Sequence, residues 1–380
     1  MIDPVDLTAR LIACPSITPA DGGAQDVIEQ ALRSIGFEVH RFLHGSAPDG
    51  PVPNLFATRG SGGPHLAFAG HSDVVPPGAG WTGNPFEPII RGDLLYGRGA
   101  VDMKGAVAAF IAAASGVPQD SGTISLIITG DEEGPATHGT VALMDWMAER
   151  NIRPDMILVG EPTSNKRLGD TIKIGRRGSV NMWIDVPGTQ GHVAYPQLAD
   201  NPITRLVSAL DVITRDVLDE GTDWFQPSNL EVTDITVGNP ATNVIPSAAS
   251  ARLNIRFNDR HRGDDLVDRV RAHLVRYAPA ATLGAKISGE AFLTAPGQLS
   301  ELVASAIHSE TGLEAELSTS GGTSDARFLS ALSPTVEFGL VNATMHKLDE
   351  AVAIVDLQIL TRIYARVLTS VRSERKPTEQ

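Results

Sequence analysis

Cysteine is nearly missing from the chain: Cys14 stands alone among 380 residues, so no intrachain disulfide can form and no thiolate cluster can hold a metal. Any bound metal must rest on histidine and carboxylates. Positive charge is also scarce, with 31 Lys and Arg against 45 Asp and Glu and a formal net charge of −14. Phosphate backbones and anionic lipid surfaces bind to cationic faces, so no nucleic-acid partner and no membrane partner is expected. No apolar stretch approaches the roughly 18 residues of a membrane span. Met1-Ile2-Asp3-Pro4-Val5-Asp6 shows no basic region ahead of an apolar run, which makes a cytoplasmic location the expectation. The chain also lacks a Gly-x-Ser-x-Gly elbow, a phosphate loop ending in Gly-Lys-Ser/Thr and a His-Glu-x-x-His helix, so serine hydrolases and nucleotide-dependent enzymes fit poorly.

What is present is globular in character. Hydrophobic residues make up 42% and charged residues 20%, close to the average for folded domains. The length favours two domains. The first third alternates helical patterns (Pro4–Ile12, 24–35, 104–114, 140–149) with short apolar runs, the pattern of an α/β layer. We expect a mixed, largely parallel sheet with helices on both faces. Four runs matter most: 65–69, Thr123–Thr129, 155–159 and 335–340. Each is followed by His or acidic groups: His71 and Asp73, then Asp131-Glu132-Glu133, then Glu161, and last His346. Ligand crevices of open α/β sheets lie at the carboxyl ends of the strands, so these segments can converge on one site.

From about residue 178 to 290 the rhythm changes to strand 179–186, helix 202–217 capped by Asn201, strands 229–237 and 249–257, helix 264–277 and strand 281–287. That order, β-α-β-β-α-β, predicts a small α+β two-layer domain. It is inserted into the larger one, since the run before His346 follows it. The expected division is a discontinuous metal-binding domain, 1–177 and 291–380, and an inserted domain, 178–290. The segment 373–380 is polar and reads as a tail of low order.

Individual motifs leave alternatives open. Alternate residues of an extended segment point the same way, so Asp73 can reach the ring of His71 and fix the nitrogen left for metal; a structural histidine at a strand end would look the same. Asp102 follows a glycine-rich turn, where its two oxygens could bridge two cations or simply cap the next helix. In the acidic triplet, neighbouring side chains point differently and suit two tasks, Glu133 as ligand and Glu132 as general base. A solvated acidic turn is the alternative there.

Together, Gly-His-Ser-Asp at 70–73, Gly-Arg-Gly-Ala-Val-Asp-Met-Lys-Gly at 97–105, Asp-Glu-Glu-Gly-Pro-Ala at 131–136, Val-Gly-Glu-Pro-Thr at 159–163 and Met-His-Lys at 345–347 resemble the co-catalytic zinc peptidase/deacylase family that includes carboxypeptidase G, acetylornithine deacetylase and aminoacylase. The order and spacing cover almost the whole chain. Gly-Arg-Arg-Gly-Ser at 175–179, Gly-His-Val-Ala-Tyr-Pro at 191–196, Asn-Val-Ile-Pro at 243–246 and Gly-Gly-Thr-Ser-Asp at 321–325 resemble the branch acting on N-succinyl-L,L-2,6-diaminopimelate. Ser320 departs from that branch, which usually has a third glycine there.

The resemblance implies two Zn²⁺ per subunit, with cobalt or manganese as substitutes: His71 and Glu161 on one, Glu133 and His346 on the other, Asp102 bridging. It implies Asp73 orienting His71 and Glu132 as proton shuttle. It further implies substrate contacts from Arg176, Ser179, Tyr195, Asn243, Arg256, Gly322, Thr323 and Asn342, and a cis peptide after Asp102. His192 and Asn243 would reach the active site of a partner subunit, so the inserted domain is the dimerisation domain and a homodimer is expected. The implied substrate is a small N-acyl diamino acid whose carboxylates pair well with the planar forks of Arg176 and Arg256. Acetylornithine deacetylation or another N-acyl amino-acid or peptide hydrolysis is the alternative enzyme reading, and a metal-free scaffold the alternative of another class.

Overall fold

The computed structural model describes residues 1–118 and 122–373; residues 374–380 of the polar tail lie outside the described residues. Two compact units emerge. The first comprises Met1–Ile174, Thr294–Ser318 and the described chain from Ser324 onward, and the second Gly175–Leu293 with Thr319–Thr323. The division falls slightly outside 178–290 because the short strand pair Gly175–Arg176 and Phe292–Leu293 closes the base of the second unit. Thr319–Thr323 goes with it: Arg176 Nη1 donates to the Gly322 carbonyl at 3.1 Å, and the Thr319 hydroxyl donates to the Trp224 carbonyl.

The first unit is built on an eight-stranded sheet. Its spatial order is Glu38–His44, Val52–Gly60, Thr123–Thr129, His65–His71, Met156–Val159, Thr335–Glu337, Thr171–Lys173 and Glu316–Ser318. The four central strands run parallel to one another, and the Glu38–His44 edge and its neighbour are antiparallel. The central strands read as apolar runs because they are buried almost throughout, as sheets covered on both faces require. Helix Lys104–Ser115 is buried along nearly its whole length and half of it is alanine, so it can lie close to its neighbours. Phe110 on that helix stacks on Phe68 of the sheet at 4.3 Å and meets Tyr364 of helix Ile354–Ser373 edge-on. The Tyr364 hydroxyl donates to the Phe338 carbonyl at 2.7 Å, which satisfies its one polar atom inside the core. No helix among the described residues is long and apolar enough to cross a membrane.

The second unit is a separate two-layer body. Its antiparallel sheet has the order Asn229–Thr236, Ala248–Phe257, Gly178–Pro187 and Thr282–Gly289. Val180, Met182, Ile184 and Val186 alternate onto the buried face, the period-two pattern of a half-covered strand. Helix Pro202–Arg215 meets that face with Leu206, Ala209, Leu210 and Ile213, and helix Gly263–Tyr277 with Leu266, Val267, Val270 and Leu274. Both sets follow the i, i+3, i+4 spacing of one helical face. Asn201 accepts the Ile203 N–H at 3.0 Å and caps the first helix.

Asp219 organises the loop between that helix and strand Asn229–Thr236. It accepts N–H groups of Gly221 and Ser228 and the amide of Asn258, and pairs with His261 at 3.0 Å. Burial alone would raise its carboxyl, yet these hydrogen bonds bring it down to about 2. A carboxyl with a depressed folded value stabilises the fold above its unfolded value near 3.9 and loses that contribution as pH falls through about 2. Asp219→Asn should therefore destabilise the protein at pH 6 by on the order of 1 kcal/mol after solvent screening. The gap to the parent in urea unfolding should close between about pH 4 and pH 2; a gap constant across that range would contradict this account.

Candidate metal centre

Three parallel strands of the first unit deliver the acidic and imidazole groups from their carboxyl ends. His71 is the last residue of His65–His71, and the Ser72 N–H continues the ladder to the Thr129 carbonyl at 2.8 Å. Glu132 and Glu133 lie in the turn after Thr123–Thr129, and Glu161 lies two residues beyond Met156–Val159. Gly160 between them has no room for a side chain, since a Cβ there would stand 2.4 Å from the Phe68 ring. His346 follows the short helix Asn342–Thr344 with a left-handed backbone, φ +59°.

Asp102 sits at the middle. Its Oδ1 lies 3.1 Å from His71 Nε2 and its Oδ2 lies 3.1 Å from His346 Nε2. Glu161 approaches His71 at 3.9 Å, while Glu133 meets His346 at 3.0 Å. The two sides of one carboxylate therefore face two different histidine–glutamate pairs. The helix-cap alternative for Asp102 is not what forms: Met103 occupies the cap position of Lys104–Ser115 and no side chain caps it. The Asp102–Met103 peptide is cis.

Two groups of Asp73 approach the His71 ring. His71 Nδ1 donates to the main-chain carbonyl of Asp73 at 2.8 Å, and the carboxylate is 3.6 Å away. A carbonyl only accepts, so Nδ1 carries a proton, which leaves Nε2 as the nitrogen a metal would take. The Asp73 carboxylate also accepts the N–H groups of Glu132 and Glu133 at 3.3 and 3.1 Å, tying two strand-end loops together. Alternation along a strand gives the direction of a side chain but not its reach. The acidic triplet also divides its work: Asp131 is fully buried and accepts the Thr137 and His138 N–H groups at 2.9 and 3.0 Å, so it anchors the turn.

Crowded acids govern the electrostatics. Burial pushes Glu132 well above the usual carboxyl range, with Glu161 adding to the shift, and burial raises Asp73 to about 6. Burial alone would lower His71, but the hydrogen bond and charge of Asp102 carry it well above the usual value. Hydrogen bonds that the His346 ring donates to Asp102 and Glu133 lift it to about 10. The cluster thus favours positive charge where each histidine meets its carboxylates, the condition under which a metal cation replaces a proton. Ligand atoms of His71, Asp102 and Glu133, and separately of His71, Glu132 and Glu161, lie within 4.8 Å of one another. Nitrogen and oxygen donors without thiolate suit zinc, cobalt or manganese. Glu132 belongs to the second group, so distance alone does not separate a ligand from a base.

The residues of the second unit form two clusters. Ser179 stands opposite Arg256 in the strand ladder, and Asn254 donates to the Ser179 hydroxyl at 3.1 Å. Arg176 and Gly322 are joined as described above, with Thr323 next in the chain. His192, Tyr195 and Asn243 gather elsewhere: Val193 N–H donates to the Asn243 carbonyl at 3.1 Å, and the rings of His192 and Tyr195 lie 5.8 Å apart. Both rings are exposed. Asn342 is in the first unit, where its N–H donates to the Ser164 carbonyl at 2.9 Å.

A family model described as peptidase family M20/M25/M40 matches residues 67–370. The chain belongs to this family. Relatives carrying the name succinyl-diaminopimelate desuccinylase include one from Rhizorhabdus wittichii, 70% identical over 98% of both chains, and one from Sphingopyxis alaskensis, 68% identical over 97% of this chain and 98% of that one. Among solved structures, the aminopeptidase PepT from Bacillus cereus superposes with a TM-score of 0.81 at 18% identity, covering 97% of this chain and 98% of its own. The M20 carboxypeptidase Sso-CP2 from Sulfolobus solfataricus gives 0.76 at 17% identity, over 98% and 100%. These two show a shared fold.

Sequence reading missed Arg98 and Glu350, a buried ion pair at 2.7 Å beneath the Asp102 turn. The one available sign was an arginine inside a glycine-rich turn. For the centre itself, Asp102→Ala removes both central oxygens and should strip more metal than His71→Ala or His346→Ala does. Elemental analysis of the purified proteins measures this, and an Asp102→Ala protein with the parent's full metal content would refute it.

Proposed function

We propose that the chain hydrolyses N-succinyl-L,L-2,6-diaminopimelate to succinate and L,L-2,6-diaminopimelate, a step of lysine and diaminopimelate biosynthesis; a cytoplasmic location goes with that role. The observation that carries this reading is 70% identity over 98% of both chains to a succinyl-diaminopimelate desuccinylase. We assign His71 and Glu161 to one zinc, Glu133 and His346 to a second, and Asp102 to both. The metals, when bound, supply Lewis acidity that polarises the amide carbonyl and acidifies water.

The protein's own groups do the rest. Glu132 takes a proton as water attacks the carbonyl carbon, then delivers it to the amine nitrogen as the C–N bond breaks. Arg176 and Arg256 pair with substrate carboxylates, and Ser179, Gly322, Thr323 and Asn342 line the substrate. We assign His192, with Tyr195 and Asn243, to the site of a partner subunit in a homodimer. Geometry within the second unit supports that assignment. Ser179 and Arg256 lie at one end of the ladder between Gly178–Pro187 and Ala248–Phe257, while the His192 hairpin continues from its other end, where Pro187 faces Ala248. From the Ser179 pair to the Pro187 pair is eight residue steps, about 26 Å along the strand, too far for one small substrate to touch both in the same chain.

A side-by-side assay with N-succinyl-L,L-diaminopimelate and N-acetylornithine tests the substrate, with preference for the succinyl compound expected. Glu132→Gln should lose about 10² to 10⁴ in turnover while retaining its metal. Loss of metal together with activity would make Glu132 a ligand instead.

The partner assignment has its own test. His192→Ala and Glu132→Gln proteins, each with little activity, should recover activity when mixed, because a mixed dimer holds one site with an intact base and an intact partner histidine. His192 is assigned to donate a hydrogen bond to the oxyanion that forms when water attacks the amide, and loss of one such donor costs about 10² to 10³ in turnover. Two distinguishable tags verify exchange, and no recovery in verified mixed dimers would sink the assignment.

A further inference from the structure

We propose that Glu350 is a positioning residue of the metal centre: its buried carboxylate fixes the backbone of the Asp102 turn from the same loop that carries His346. The residue is completely buried. Its Oε2 accepts from Arg98 Nη1 at 2.7 Å and from the Gly99 N–H at 2.9 Å. Its Oε1 accepts the N–H groups of Val101 and Asp102 at 2.8 and 3.1 Å. Its main-chain carbonyl accepts the Gly97 N–H at 2.9 Å. The turn 97–102 is neither helix nor strand, so its donors have no ladder to join, and buried N–H groups must be paired somewhere. Glu350 pairs four of them, those of Gly97, Gly99, Val101 and Asp102.

The other face of the device is the His346 loop. Glu350 lies four residues after His346, and the Thr344 hydroxyl closes the loop by donating to the Ala351 carbonyl at 2.9 Å. Strand Ala351–Ala353 then pairs with Leu94–Tyr96, the strand that runs directly into the Gly97 turn. Two segments far apart in sequence are therefore joined by a strand ladder and, one residue further on, by a single carboxylate. The consequence for the centre is that Asp102 and His346 keep their 3.1 Å approach only while Glu350 holds both backbones.

The kinetic readout rests on the hydrolase reading above; the binding readout does not. Glu350→Gln keeps the side-chain length but turns an NH₂ group toward backbone donors and leaves Arg98 without its anion. Glu350→Asp keeps the charge and withdraws it by one methylene. Both full-length proteins are compared with the parent by zinc competition against a chromogenic chelator, thermal unfolding of the metal-free protein, and kcat and KM. Partners of this kind typically contribute 10- to 100-fold to metal affinity, so zinc affinity should fall by about that factor in each variant that folds, with kcat reduced and KM nearly unchanged. Should Glu350→Gln fail to fold, the milder Glu350→Asp carries the same measurements. Parental zinc affinity and kcat in the folded variants, with only a lowered Tm, would overturn the proposal and leave Glu350 a stability residue. Failure of the parent to turn over the succinyl substrate, with zinc affinity still dependent on Glu350, would remove the substrate reading and leave the positioning role standing.

Discussion

Repulsion among carboxylates is the constraint around which the first unit is organised. Asp73, Asp102, Glu132, Glu133 and Glu161 converge beside two histidines, and a pair of like charges 4 Å apart repels by about 4 kcal/mol at an effective dielectric constant of 20. Such a cluster persists in a folded protein only with cations among the acids and with donors fixed on the remaining oxygens. The structure supplies such donors as backbone N–H groups: Asp73 takes two, and the neighbouring buried acids Asp131 and Glu350 take two and three on their carboxylates. Charge that would disperse a flexible loop is in this way converted into rigid turns.

The sheet serves this arrangement by bringing turns together, because parallel neighbours present their carboxyl ends on one edge. Strands His65–His71, Thr123–Thr129 and Met156–Val159 carry mostly apolar residues that fill both faces, and only His71, at the end of the first, belongs to the centre. Small residues then let the loops approach. Gly160 against Phe68 and Gly105 against the Ala100 carbonyl, where a Cβ would stand at 2.4 Å in each case, are positions at which any side chain would push a loop out of place. The second unit follows simpler rules, one apolar face per element, and its core closes on itself without help from the sheet of the first.

That contrast explains what was legible in the sequence. The β-α-β-β-α-β order could be read nearly residue by residue, since each element is amphipathic and long enough to show its period. The parallel runs ahead of His71, Glu132 and Glu161 were legible as apolar stretches ending in polar groups. Strands such as Thr171–Lys173 and Glu316–Ser318, three residues each, are too short to carry a period. The hydrogen bonds of the centre were less accessible still. Nothing local distinguishes the Asp73 carbonyl from its carboxylate as the partner of His71, and Arg98 meets Glu350 across 252 residues of chain. Pairings of that kind are properties of the closed fold, invisible to any window along the chain.

The insertion of the second unit also sets an order of assembly. His71, Asp102, Glu133 and Glu161 all precede Gly175, whereas His346 and Glu350 follow Leu293. A chain emerging from the ribosome exposes the acidic groups first and completes the second unit before the residues that face them have been made. The first unit must keep its strand edge beside Met156–Val159 open until Thr335–Glu337 arrives to pair with it. Such long-range pairing is slow relative to local folding. Closure of the cation-binding cluster is therefore among the last events of biosynthesis, and ion capture during translation would meet an incomplete cage.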